Sequence, residues 1–177
     1  MKPSMNSKIA VLYGPKGGNT EKIAKLIAKK IGHDKCDLIA VRDADETLLA
    51  PYNKLIIGGS TIGTHNWSHS NTSVDWDQFM PKFKKMNFAG KKVAIFGLGD
   101  HLAYTNHFVN EMFSLYQVLK NNGATIVGQW PTDGYEFNES AAIVDGKFVG
   151  LPIDEDHEDD LSEGRIDAWL NTLSAQM

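Results

Sequence analysis

Residues 8–21, KIAVLYGPKGGNTE, decide the fold. The apolar run from Lys8 to Tyr13 stops at Gly14 and reads as a short buried strand. Residues 14–20, GPKGGNT, make a glycine-rich turn. Glu21 then opens a helix in which Ile23, Ala24, Ile27, Ala28 and Ile31 recur at helical spacing until Gly32 ends it. A strand, a glycine turn and a helix start form an anion site. The first helical N–H groups lack intrahelical acceptors, the helix dipole favours negative charge, and glycines let the backbone close around a phosphate. Asn19 and Thr20 add side-chain donors and Lys16 adds charge. The loop is neither a Walker A motif, since no Gly-Lys-Ser/Thr ends it, nor GxGxxG. A tight turn with an Asn or Thr helix cap would use the same residues.

Outward from this stretch the pattern repeats. Cys36 to Val41 is a second apolar run, Leu55 to Ile57 a third closed by Gly58 and Gly59, and Val93 to Phe96 a fourth closed by Gly97. Phe108, Met112, Leu115, Tyr116 and Leu119 mark a long helix. Thr125 to Val127 begins a fifth strand, and Phe148 to Leu151 reads as its continuation after the irregular residues 128–147. Ile166, Trp169, Leu170 and Leu173 make a terminal helix. Short apolar strands alternating with helices predict an α/β fold, a parallel sheet covered on both faces. Ligands of such sheets bind beyond the carboxyl ends of the strands, so the loops after the first, third and fourth strands matter most. The second of these, GGSTIGTHNWSHSN over residues 58–71, carries an isolated Trp67; the third, GLGDHLAY over residues 97–104, joins glycines to Tyr104. Two aromatic-bearing loops beside one phosphate loop suit a flat heteroaromatic ring. One monophosphate fits, and no second glycine loop or ribose-binding acid follows at dinucleotide spacing.

The 177 residues suit one domain, 1–177. No apolar run is long enough for a transmembrane helix, and MKPSMNSK lacks a secretory h-region, so a cytoplasmic protein is expected. The lone Cys36 reads as a small buried hydrophobe. His65 and His69 stand four apart, but their Asn, Ser and Gly surroundings read as a loop, and no metal is expected. The net charge of −4 hides an asymmetry: residues 1–92 carry 15 basic and 8 acidic side chains, residues 93–177 carry 3 and 14. Seven of those acids fall between Asp154 and Glu163, readable either as a solvated loop or as a field toward a basic partner.

Residues 93–104 (VAIFGLGDHLAY), 130–137 (WPTDGYEF) and 144–170 (VDGKFVGLPIDEDHEDDLSEGRIDAWL) closely resemble long-chain flavodoxins. The resemblance implies a flavodoxin-like three-layer sandwich, its five-stranded parallel sheet ordered 2-1-3-4-5 with helices on both faces. Residues 128–147 match the insertion that splits the fifth strand in the long-chain branch. It further implies non-covalent FMN and a low-potential carrier of single electrons, not an enzyme. Its partners would be a flavodoxin/ferredoxin reductase and acceptor oxidoreductases, with no nucleic acid and no membrane; a monomer is expected. Carried over position by position, the phosphate loop is Pro15, Lys16, Gly17, Gly18, Asn19 and Thr20, where Pro15 and Gly17 replace customary hydroxyl residues. In the second loop the family's Thr-Trp becomes Thr61-Ile62, and the longer loop makes Trp67 the candidate for that face of the ring. Gly63 matches the peptide that turns its carbonyl toward the flavin. In the third loop Gly97, Leu98, Gly99 and Asp100 match, Tyr104 matches the ring-stacking Tyr, and His107 takes the place of a polar residue. Two other readings remain open at this point: a flavodoxin-like NAD(P)H:quinone or azo reductase, and a binding module without flavin.

Overall fold

A computed structural model of the chain describes residues 8–60, 74–102 and 105–177. The fold follows from alternation. In β1 (Ile9–Tyr13) Ala10 and Leu12 face one side of the sheet, Val11 and Tyr13 the other. The same split divides β3 (Lys54–Gly59) and β4 (Lys92–Leu98), with Leu55, Ile57, Val93 and Ile95 on one side and Ile56, Ala94 and Phe96 on the other. Strands apolar on both faces need a helix layer on each.

One layer holds α1 (Asn19–Ile31), which follows β1, and α5 (Asp159–Gln176); they bury Ile23, Ile27, Ile166 and Trp169. The other holds α3 (Val74–Phe83) and α4 (Glu111–Asn121), which bury Trp76, Phe79, Phe83, Met112 and Leu115. The remaining elements are β2 (Cys36–Ala40), a 3-10 turn at Val41–Asp43 and the short α2 (Glu46–Leu49), whose Asp45 cap accepts the Leu48 N–H at 2.7 Å. No helix among the described residues is long and apolar enough to cross a membrane.

The parallel sheet runs β2-β1-β3-β4-β5, with β5 (Thr125–Val127). β5 pairs with the first half of β4, Lys92 to Ala94, and β9 (Leu151–Ile153) with the second half, Phe96 to Leu98. Between them β6 (Trp130–Pro131), β7 (Ile143–Val144) and β8 (Lys147–Phe148) form a separate antiparallel sheet. The fifth strand therefore resumes at Leu151, not at Phe148. Phe148 belongs to β8 and is buried among Phe108, Tyr135 and Phe137, with ring centroids at 6.0, 5.3 and 5.4 Å. A second difference lies at Phe108, which precedes α4: Val109 has a φ of 48°, which breaks the helix before Glu111.

Candidate functional site

The strand register fixes where the loops meet. Tyr13 pairs with Gly58, Gly59 with Gly97 and Gly97 with Pro152, so the chain leaves β1, β3, β4 and β9 along one carboxyl edge. Pro15, Lys16, Gly17, Gly18, Asn19 and Thr20 lie together in the loop from β1 to α1. Gly17, at φ 88°, and Gly18 face open space: a Cβ on either would meet nothing within 4 Å. The start of α1 has no side-chain cap, and the N–H groups of residues 17–21 have no acceptor among the described residues. This is a donor-lined cradle open to solvent, with the exposed Lys16 beside it and Thr20 buried beneath.

The back of the cradle is held by α3, which sequence reasoning did not connect to it. Asp75 accepts the Lys16 N–H at 2.8 Å and the Arg42 guanidinium at 3.0 Å. The buried Trp76 indole donates to Gly14 O at 3.1 Å, and a Cβ on Gly14 would stand 2.5 Å from Val41 and 3.0 Å from that indole. In front, Tyr13 donates to Glu21 at 2.9 Å; burial, then this bond, pushes its hydroxyl up to about 12.

The third loop is stapled to the segment after β9. Gly99 N–H donates to Ile153 O at 3.0 Å. The fully buried Asp154 accepts from the backbone of His101, Asp156 and His157, each at 3.0 Å, and makes a short contact with His101 Nδ1. Asp100 accepts the Leu102 N–H at 3.0 Å and lies 2.9 Å from His157 Nε2. His101, Asp154 and Glu158 could offer a cation three ligand atoms within 4.8 Å of one another, but Asp154 is already taken up by these donors and Glu158 by Arg165 at 3.0 Å. Of the expected residues here, Leu98 buries its side chain in the core and presents only backbone, while His107 is exposed, 3.3 Å from Asn110. Thr61, Ile62, Gly63, Trp67 and Tyr104, with the pair His65 and His69, lie outside the described residues.

A family model described as flavodoxin matches residues 11–169. The chain belongs to the flavodoxin family. Among curated relatives of this flavodoxin, that of Synechocystis sp. is 40% identical over 168 residues, covering 94% of this chain and 96% of its own. Flavodoxin 1 of Salmonella typhimurium is 37% identical over 168 residues, with 94% and 93% covered. A crystal structure of a Fusobacterium nucleatum flavodoxin mutant bound to flavin mononucleotide superposes with a TM-score of 0.85 at 26% identity, covering 96% of each chain.

Asp75 and Asp154 are the residues that sequence reasoning missed. Asp75 stands 59 positions from Lys16, and no local pattern ties them. Asp154 was legible as one acid in a run; its burial follows from its place directly after β9, in register with the end of β4.

Proposed function

We propose that this flavodoxin carries single electrons at low potential on one non-covalently bound FMN. The observation that carries the reading is the glycine-lined, uncapped start of α1 at the carboxyl end of β1. The residues present fit the group. Gly17 and Gly18 leave room for a phosphate, N–H groups with no acceptor among the described residues line that space, and Lys16 supplies countercharge, so the loss of hydroxyls at positions 15 and 17 leaves the backbone donors intact. Bound FMN supplies the redox chemistry by taking up and giving back electrons.

The chain's own residues do the rest. Asp75 and Trp76 fix the cradle from behind. Asp154 locks the third loop, presenting the backbone of Gly97, Leu98 and Gly99 and the carboxylate of Asp100 along the same edge. Asp100, with no Lys or Arg in residues 58–71 or 97–104, makes added negative charge there costly, which lowers the potential. Tyr104 and Trp67 cover the two faces of the ring, with Thr61, Ile62 and Gly63 along its edge and His107 near Tyr104; this assignment rests on the sequence. Residues 1–177 act as one domain, with the segment 128–150 between the two halves of its fifth strand. The carrier works as a cytoplasmic monomer between a flavodoxin/ferredoxin reductase and acceptor oxidoreductases.

The test is the visible spectrum of the purified protein, followed by acid release and chromatography of the cofactor. A yellow protein releasing FMN, bleached by NADPH only when a reductase is added, is the expected result. A colourless protein after growth with excess riboflavin, recovery of FAD, or fast bleaching by NADPH alone overturns the reading.

A further inference from the structure

Glu111 opens α4 behind the third loop. Its Oε1 is closed off from solvent and, alone among the buried side-chain oxygens and nitrogens of the described residues, has no hydrogen-bond partner. It packs against the end of β4: a Cβ on Gly97 would lie 3.5 Å from it. Gly97 pairs on one side with Gly59, where the second loop leaves β3, and on the other with Pro152 of β9. The unpaired oxygen therefore sits beneath the carboxyl end of β4, beside the ends of β3 and β9. An unpaired buried carboxylate is costly, and the group avoids the cost by holding a proton. Burial pushes the carboxyl up to about 8, opposed only by its own backbone N–H. The charged and titratable groups on the described elements around it include Asp75, Asp77 and Lys82 on α3, Lys54 on β3, Lys92 on β4, Asp100 and His101 in the third loop, Lys120 on α4, His107 in the preceding turn and Glu136 and Glu139 in the inserted segment. None of them is a cause of the shift.

We propose that Glu111 is a redox-linked proton site, its buried carboxyl taking a proton from solvent when an electron from an external one-electron donor leaves negative charge at the carboxyl edge of the sheet. This rests on the FMN reading above. The step balances: the donor would lose one electron, which bound FMN would hold, and one proton moves from a solvent water to a Glu111 carboxylate oxygen, breaking one water O–H bond, forming one carboxyl O–H bond and leaving hydroxide to the buffer. In alkaline solution the ionised carboxylate and the charge on the cofactor repel each other in a partly dry site, so reduction raises the proton affinity of Glu111. Around neutral pH the acid is already protonated and adds no negative charge of its own.

The experiment has two readouts. Infrared spectroscopy of the apoprotein tests the acid without flavin: a carboxylic-acid C=O band present at neutral pH, lost above pH about 8 and absent in Glu111→Gln. Redox titration of the FMN-loaded protein tests the link. Above pH about 8 the potential of the charge-accumulating electron should fall tenfold in equilibrium constant per pH unit, about 59 mV for a one-electron couple. Glu111→Gln should lose that slope. Glu111→Ala serves if the Gln variant does not fold, and the wild-type profile needs neither. Absence of the infrared band, or equal slopes in wild type and variant, overturns the proposal. A protein that binds no FMN overturns the function and the redox link together, while the band still reports whether the buried acid exists.

Discussion

At the scale of single residues, two buried carboxyls behave oppositely. Glu111 is held neutral, pushed up to about 8 from 4.5. Between those values the folded chain keeps a proton that the unfolded chain releases, so stability falls as pH rises through that window, by about 1.4 kcal/mol per unit, or about 3 kcal/mol by pH 7. Glu111→Gln should flatten this slope and raise the urea midpoint of the apoprotein at pH 7 relative to pH 5; identical pH slopes in both proteins would sink the idea. Asp75 is the other case, satisfied by Lys16 N–H and Arg42. Asp75→Asn keeps the shape but weakens a charge-assisted bond, and about 1.4 kcal/mol of loop positioning should appear as about tenfold weaker FMN binding by fluorescence titration. Unchanged affinity would remove Asp75 from the site. Neither role was legible in the sequence. Glu111 looks like an ordinary first-turn acid, and Asp75 acts across a fold that no local spacing encodes.

At the scale of elements, the sequence was legible wherever periodicity and glycine punctuation agreed. β1, α1 and the loop between them have the expected residues in the expected places. The seam of the fifth strand was misread because Phe148 and Val149 continue an apolar run that in fact serves two sheets. Gly150 marks the true crossing: a Cβ there would stand 2.0 Å from Ile95 O, backbone that cannot yield. Gly150→Ala should push β9 off β4 and cost several kcal/mol, at least the ~1–3 kcal/mol of an overpacked core. Gly164, inside α5 with nothing within 4 Å of an added Cβ, is the control. There alanine should stabilise by about 0.5–1 kcal/mol through helix propensity and a less flexible unfolded chain. Thermal denaturation of the two variants should move in opposite directions; a Gly150→Ala variant as stable as wild type would mean that β9 moves off Ile95 without cost and would sink the contact argument.

At the scale of the whole molecule, the charge asymmetry along the chain becomes an asymmetry in space. All strands of the parallel sheet point toward the loop edge, and the helices that cross back end at the opposite edge. Lys29 and Lys30 close α1, Lys82 lies in the last turn of α3, Lys120 closes α4, and Lys54 and Lys92 start β3 and β4, which places these cations at the amino edge. The acids gather after β9 and at the start of α5, on the loop edge. Not all of them face water. Asp154 is buried, Glu155 is 2.9 Å from Lys22, and Glu158 is bound to Arg165, which leaves Asp156, Asp159 and Asp160 exposed. A dipole of this sense turns the loop edge toward a basic partner during diffusion. Its reach is screened within about 10 Å at 0.1 M salt, so the rate of electron transfer from a basic reductase should fall steadily as ionic strength rises. Asp159→Lys with Asp160→Lys should slow association severalfold at low salt and much less at high salt, with the flavin spectrum unchanged. Both positions lie in the first turn of α5, where reversal costs about 0.3–1 kcal/mol each through the helix dipole, so circular dichroism must show the helix intact. Stopped-flow rates that ignore salt, or a double reversal as fast as wild type at low salt, would mean that docking is governed by contact rather than by the field.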